Sequence, residues 1–348
     1  MSYNKIAGIG GIGKGMLFLT DINETLGRSE SRLAELSDAK DYCKLHIVFH
    51  YIAALLTDRA KVYPIGCVGA DAYGTELLNL MRGASMDIAH VTVVDDLPTM
   101  IGVCLQYPDK ETCNFSASNS ACSLVTPEYA IEHLDMIGVD SSTIAAFIPE
   151  VSVESRIAAL RHCKDKGAFC ALTIPESEAD AFKSSGIFAL CDLLALNENE
   201  ALKLLPDKSG ANDFVDRLYD YLYIQNPKIM LMVTCGKRGA YTAHDGRTEF
   251  VPCYPANAVN TTGAGDACLG GTLAGLALGL PFQKGRDDAE YGGSPLSSAV
   301  ELGVICAGMS VETADTIALH VNAESIGARI IRGGWNGYAI IKKISRRV

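Results

Sequence analysis

Between residues 169 and 234 the sequence sets out three short, almost unbroken apolar runs: FCALTI (169–174), DLLAL (192–196) and IMLMVT (229–234). A strand with one wet face alternates apolar and polar residues. A strand that is apolar at nearly every position needs cover on both faces, as in a parallel sheet sandwiched between helices. Parallel neighbours require long crossovers, and the intervals between these runs carry helical periodicity. Other stretches agree: VYPIGCVG (62–69) predicts a strand and its exit loop, and ELLNLMRGAS (76–85) a helix. Thr126-Pro127-Glu128 predicts a helix start, with threonine as N-cap, proline at the first position and an acid suited to the dipole. A helix from about Ser152 is expected to stop at Gly167. Two stretches read as β-hairpins: MIGVCLQYPDKETCNFS, turning at Pro108-Asp109, and GAYTAHDGRTEFV, turning at Asp245-Gly246. Residues 21–45 are polar and irregular, which suits an appended cover better than sheet core. The expectation is a single α/β domain over 1–348, with a mostly parallel central sheet, helices on both faces, and a small β-rich lid from about 14–45 and 93–118.

Bulk properties exclude several function classes. A net charge of −11 argues against a nucleic-acid surface, which needs a basic face. Hydrophobic residues make up 48% and charged residues 20%, so the chain is globular rather than disordered. No stretch approaches the roughly 18–20 uninterrupted apolar residues of a membrane span. The opening MSYNK lacks the pattern of a secretory signal, so the reading is a cytoplasmic protein. Its 12 cysteines contain no C-x-x-C pair, and reduced, buried thiols are expected rather than disulfides or metal ligands.

Two glycine-rich segments compete for a nucleotide. In KIAGIGGIGKGMLF (5–18), Gly8, Gly10 and Gly13 fit G-x-G-x-x-G, while Gly8, Gly13 and Lys14 fit a P-loop up to Gly15, where Ser or Thr should stand. Too few residues precede Gly8 to launch a dinucleotide fold, so an NAD-dependent oxidoreductase has only these glycines behind it. The stronger segment is VNTTGAGDACLGGTLAGLALGL (259–280). Gly263, Ala264 and Gly265 let successive N–H groups point outward at a helix start, a ready anion site where charge develops on a transferring phosphoryl group. Asp266 at its edge could accept a proton from an attacking hydroxyl and orient it in line.

At these residues the chain resembles the ribokinase-like (PfkB) family of carbohydrate and nucleoside kinases, whose late D-T-x-G-A-G-D motif ends on a catalytic Asp. The likeness extends in family order. PIGCVGADAYGTELLNLMRGASMDIAHV (64–91) is similar to the segment G-x-V-G-x-D-x-x-G followed by a helix, with Asp71 as a structural residue. TMIGVCLQYPDKETCNFSASNSA (99–121) resembles the family's hairpin and substrate loop, which carries Asn119 here. LNENEALKLL (196–205) supplies N-x-x-E as Asn197 and Glu200, and VTCGKRGAY (233–241) matches V-T-x-G-x-x-G. The resemblance implies a ribokinase-like three-layer sandwich and an ATP-dependent, Mg2+-requiring kinase that phosphorylates a hydroxyl of a small molecule. It implies Asp266 as base within the anion loop 263–265, and Glu200 with Asn197 organising magnesium indirectly. Thr234, Gly236, Gly239 and Thr262 would line the nucleotide, and Gly11 would face the acceptor. A homodimer through the lid is compatible with it. Asn260 replaces the usual Asp at the motif's head, so a monovalent cation stays an open requirement.

The N-terminal third departs from the family. Members place an Asp soon after the first strand, where it holds sugar hydroxyls; the corresponding Gly13-Lys14-Gly15-Met16 has no acid. Their G-G-x-x-x-N loop corresponds to DYCKLHIVFHYIAALL (41–56), which has no double glycine. Lys14, Lys44, His46 and His50, with Arg28 and Arg32 nearby, form instead a basic cluster in an acidic protein. This predicts an acceptor carrying a carboxylate or phosphate, bound by Lys14, His46 and His50. A sugar, sugar derivative or nucleoside fits the resemblance. The competing reading is a catalytically silent ligand-binding or regulatory protein on a kinase scaffold, against which the intact base counts. The polar loop 281–297 has no assignment beyond a place flanking the nucleotide.

Overall fold

A computed structural model describes residues 3–109, 112–206, 213–284 and 296–345. The chain enters through β1 (Lys5–Ile9) and crosses into a small sheet by β2 (Gly13–Leu19), β3 (Glu35–Leu36) and β4 (Asp41–Tyr42). It returns by α1 (Lys44–Leu56) to β5 (Lys61–Gly69), α2 (Ala72–Gly83) and β6 (Val91–Val94). A hairpin follows, β7 (Met100–Gln106) and β8 (Thr112–Ser116), and then a run of crossovers. These are α3 (Pro127–Ile137), β9 (Thr143–Phe147), α4 (Val153–Asp165), β10 (Phe169–Thr173), α5 (Ala179–Ser185), β11 (Leu193–Asn197), α6 (Glu198–Leu204), α7 (Phe214–Gln225) and β12 (Met230–Thr234). A second hairpin, β13 (Gly239–His244) and β14 (Arg247–Pro252), precedes α8 (Ala264–Ala277), α9 (Ala299–Ser310), α10 (Ala323–Arg332) and α11 (Tyr338–Ile344).

Nine strands form one sheet in the order β14-β13-β12-β11-β10-β9-β1-β5-β6. From β12 to β6 every pairing is parallel; β13 and β14 add an antiparallel edge. The apolar runs have the expected cause. Ile144, Ala146 and Leu193 face a core shared with α1, α8, α9, α10 and α11, whereas Ala145, Phe147 and Leu194 face a second core shared with α3 to α7. Both faces of these central strands are dry, so neither set of alternate residues is polar. Helix boundaries follow local chemistry. Thr126 accepts from the Tyr129 N–H, Ser152 accepts from the Ser155 N–H, and Gly167 turns left-handed after α4. Asp245 and Gly246 both take positive φ, 51° and 70°, as a tight hairpin turn requires.

The small sheet has the order β3-β2-β7-β8, with β4 pairing β2. Lys44 and Leu45 open α1, and Val93 and Val94 lie in β6 of the large sheet, so the small sheet occupies residues 13–42 and 100–116. The opening glycines lead from one strand into another, not into a helix, which removes the structural context both nucleotide fingerprints need. Gly270 and Gly271 serve packing. A Cβ on Gly270 would meet the Val48 carbonyl of α1 at 2.6 Å, and one on Gly271 the Gly303 Cα of α9 at 2.8 Å. The N-terminus of α8 is thereby held above the carboxyl edge of the large sheet. Residues 285–295 of the loop 281–297, and residues 110–111 of the first hairpin, lie outside the described residues. No described helix is long and apolar enough to cross a membrane.

Candidate active site

Beyond β1 the chain adds β5 and β6 on one side and β9 onward on the other, so β1 and β9 flank the point where strand order reverses. Crevices at the carboxyl ends of such strands are where open α/β sheets bind ligands. β1 is followed by Gly10-Gly11 and β9 by Ile148-Pro149-Glu150, and the Gly11 N–H donates to the Pro149 carbonyl at 3.0 Å. A Cβ on Gly11 would overlap the Glu150 side chain. Glu150 takes φ 74°, a strained value for a non-glycine residue, and its Oε2 is buried with no hydrogen-bond partner.

The start of α8 forms the opposite wall. Gly263 takes φ 80° as the N-cap, and the first helical turn is Ala264, Gly265 and Asp266. N–H groups of a first turn have no partner four residues back; the Ala264 N–H reaches to the Thr261 carbonyl at 3.3 Å, and Gly265 is exposed. Asn260 pins this loop to both neighbours. Its Oδ1 accepts from the Thr262 N–H at 3.0 Å and from Gln106 Nε2 of β7 at 3.1 Å, while its Nδ2 donates to the Ala314 carbonyl at 2.7 Å. A Cβ on Gly265 would lie 3.7 Å from Thr234 Oγ1, so the end of β12 adjoins the loop.

Lys44, the first residue of α1, points into this space. Its Nζ is 3.9 Å from Asp266 Oδ1, with the two side chains 36% and 15% exposed. Asp266, then Glu200 and Glu150, raise the Lys44 pKa against the effect of burial. Four carboxylates therefore share one lysine: Asp266, Glu200 and Glu150 hold its charge, and Asp41 also feels it. Burial raises the pKa of Asp266 and of Glu200, with Lys44 opposing in both. Glu150 is pushed up to about 7 and Asp41 to about 6, again chiefly by burial.

The stability consequence has a definite sign. A carboxylate whose native pKa exceeds its unfolded value binds its proton more readily when folded. Its contribution is complete below the unfolded value and is lost as pH rises through the native one. For Glu150 that window runs from the ordinary 4.5 to about 7. Glu150→Gln is expected to raise Tm by a few degrees at pH 8 and to give no gain at pH 4.5. An equal shift at both pH values would contradict the burial of a charged group here.

The sequence-predicted residues divide into groups. Asp266, Gly263, Ala264, Gly265 and Thr262 come together at one helix start, with Thr234 and Gly11 close to it or to its acidic neighbours. Asn197 and Glu200 form a capping box at α6: the Asn197 side chain accepts from the Glu200 N–H, and the Glu200 carboxylate accepts from the Asn197 N–H. Glu200 nonetheless interacts electrostatically with Lys44 and Asp266, so cap and site coincide. Gly236 and Gly239 take positive φ, 54° and 127°, in the turn from β12 to β13. Asp71 is structural: its carboxylate accepts from Gly74 N, Thr99 N and Thr99 Oγ1, each at 2.8 Å.

The basic cluster does not survive. His46 and His50 are 1% and 8% exposed, and burial pushes them down to about 3 and about 4, so both are neutral. An uncharged imidazole cannot supply the positive charge expected of them. Lys14 is committed to Glu76 of α2 at 2.7 Å and lies over the Tyr73 ring, and Arg32 pairs with Glu24 and Glu30. Asn119 is exposed in the bend after β8. Sequence reading missed Glu150 and Asp41. Glu150 was legible as an acid immediately beyond an apolar parallel strand, IAAFIPE; Asp41 sits in an irregular stretch with no local signal.

Comparison with known proteins gives a consistent answer. The family model described as pfkB family carbohydrate kinase matches residues 48–322. A fructokinase of Klebsiella pneumoniae is 29% identical over 225 residues, covering 62% of this chain and 72% of the relative. Among solved structures, a ribokinase from Giardia lamblia superposes with a TM-score of 0.78 at 17% identity, covering 94% of this chain and 99% of that one. An Arabidopsis thaliana ribokinase complexed with ribose and ATP superposes with a TM-score of 0.67 at 16% identity and full coverage of both chains, 100% and 100%.

Proposed function

The chain belongs to the pfkB family of carbohydrate kinases, and from that premise we propose that it transfers the γ-phosphoryl group of ATP to a hydroxyl of a small polyhydroxy acceptor. The observation that carries this reading is Asp266, in the first turn of α8, facing Lys44 across 3.9 Å at the carboxyl edge of the sheet. A proton acceptor, a fixed cation and a helix N-terminus converge on one space. Phosphoryl transfer uses this set, because its chemistry is mostly positioning and charge stabilisation.

Each chain group then has a part. The acceptor oxygen attacks the γ-phosphorus, the bond to the β,γ-bridging oxygen breaks, ADP leaves, and the hydroxyl proton passes to Asp266. Lys44 favours the ionised form of Asp266 before the step by opposing part of the effect of its burial. During the step, Lys44 and the N–H groups of residues 263–265 face the charge moving on the phosphoryl oxygens. Thr234, Thr262, Gly236 and Gly239 serve the nucleotide, and Gly11 lets the acceptor approach the end of β1. The small sheet over the crevice excludes water, which would otherwise take the phosphoryl group.

The donor set also suits magnesium. The described residues contain no cluster of three or more His, Cys, Asp or Glu that could cage a metal. Magnesium carried by phosphates needs no cage: it keeps several waters and leans on one or two carboxylates. Glu200 would hold it through water, and the ion would neutralise charge on the phosphates. A coupled ADP-release screen over hydroxyl acceptors tests the reading. Turnover that depends on both an acceptor and Mg2+, and is lost in Asp266→Asn, is expected; ATP binding without turnover on any acceptor would favour a silent scaffold instead.

A further inference from the structure

β2, which follows the first strand, has no acid, yet the fold delivers a carboxylate to it from elsewhere. β4 runs antiparallel to β2 with Asp41 directly opposite Gly15. A Cβ on Gly15 would overlap the Asp41 carboxylate, so that carboxylate occupies the space into which a side chain at position 15 would project. Glycine at 15 is therefore required by Asp41, and Asp41 stands where an acid at 15 would stand.

Asp41 is held there deliberately. The Tyr42 N–H donates to Thr316 Oγ1 at 3.1 Å, the Thr316 N–H to the Lys40 carbonyl at 3.0 Å, and the Lys40 N–H to Asp315 Oδ1 at 2.8 Å. The segment that grips β4 on one side is the one that Asn260 grips through Ala314 on the other. Asp41 and the α8 start are thus fixed to a common loop. Asp41 is 8% exposed, and Asp266 and Lys44 are the charged groups it faces at the α8 and α1 sides. A buried carboxylate needs partners; the Tyr42 N–H and the Thr316 hydroxyl supply two, and its two oxygens can accept more. Its own lysine is already shared with Asp266, Glu200 and Glu150. Glu150 adds a second demand, since its Oε2 is buried and unpartnered.

These walls present hydrogen-bond acceptors and an excess of carboxyl groups over cations. Neither Lys14, paired with Glu76, nor the neutral His46 and His50 offsets it. Ionised carboxylates are acceptors only, and hydroxyl groups are the donors that satisfy them without adding like charge. We propose that Asp41, reaching across Gly15, grips hydroxyls of the acceptor, and that the acceptor is an uncharged polyol rather than a sugar acid or sugar phosphate. This rests on the kinase reading above for the identity of the crevice, and it reverses the anionic acceptor that the basic residues predicted.

The test uses the full chain with D-fructose, D-ribose and inosine as neutral acceptors and D-gluconate as the anionic one. Each is assayed by ADP release and, without nucleotide, by thermal shift. At least one neutral polyol is expected to turn over with kcat/KM at least ~100-fold above gluconate. Asp41→Asn, which keeps the size of the side chain, should raise the acceptor KM by about 10- to 100-fold, the usual loss for a hydrogen bond to a charged group, with the KM for ATP unchanged. Gly15→Asp alone should lose acceptor binding through overlap with Asp41. Gly15→Asp combined with Asp41→Gly returns one carboxylate to the same space and should recover the acceptor KM to within tenfold of wild type. An unchanged acceptor KM in Asp41→Asn, a double variant no better than Asp41→Gly, or preference for gluconate overturns the proposal. Wild-type protein that is stabilised by a neutral polyol but releases no ADP, with the stabilisation lost in Asp41→Asn, defeats the kinase reading and leaves the Asp41 assignment standing. No turnover and no stabilisation with any neutral polyol defeats the assignment itself.

Discussion

Asp266→Asn is expected to lower kcat by about 10²- to 10⁴-fold, the range for loss of a positioned general base, while the KM for ATP changes little. The substitution keeps the size and shape of the side chain at the first turn of α8, so the anion loop pinned by Asn260 stays in place. What disappears is the proton acceptor. In the wild type, burial raises the Asp266 pKa and Lys44 only partly opposes it, so the acid limb of the kcat profile should lie above that of an exposed carboxylate. Asparagine removes that limb together with the rate. It also removes a buried carboxylate whose native pKa is raised, so the variant should be no less stable than wild type at pH 8. A variant with near wild-type turnover, or with kcat lost only because ATP no longer binds, would take the base assignment away from Asp266.

Lys44→Ala carries the second large effect, a fall in kcat of about 10²- to 10³-fold, as when one preorganised donor to a developing charge is deleted. Two consequences separate this role from mere support of α1. Lys44 is the group that holds down the raised pKa values of Asp266, Glu200 and Glu150, so its loss should move the acid limb of kcat to higher pH. Lys44→Arg keeps the charge and should retain most of the rate, with its acid limb where the wild type has it. If Lys44→Ala loses activity with an unmoved limb and Lys44→Arg is equally inactive, Lys44 serves packing and not charge. It has the geometry for charge: a 36% exposed side chain with its Nζ directed at Asp266 rather than buried in the helix interface.

The layered architecture was legible because it depends on a one-dimensional pattern. In β10, β11 and β12, burial on both faces forces apolar residues at consecutive positions, and no other arrangement of short runs explains them. The α8 start was legible for a similar reason, since Gly263 needs a left-handed backbone and Asp266 follows it in the same turn. Asn197 and Glu200 carried two signals at once, a helix cap and a place beside Lys44, and three-residue spacing cannot separate them.

The acceptor side was illegible because it is assembled across long sequence separations. Asp41 matters through Gly15 and Thr316, and Glu150 through Gly11 and Cys43. Counting charges along residues 14–50 gave a basic cluster. In three dimensions Lys14 is matched by Glu76, Lys44 by Asp266 and Arg32 by Glu30, while burial discharges the two histidines. A charge pattern on an irregular segment says little until its partners are known, because an ion pair and a binding site have the same composition.

The destination of the γ-phosphoryl group separates transfer from hydrolysis. Wild-type protein incubated with Mg2+, [γ-32P]ATP and the neutral polyol that gives the highest ADP release should yield a phosphorylated acceptor in equal amount to ADP, with none formed by Asp266→Asn. Label appearing as inorganic phosphate while the acceptor stays unmodified, or acceptor phosphorylation that persists in Asp266→Asn, would contradict transfer to the acceptor with Asp266 as its base.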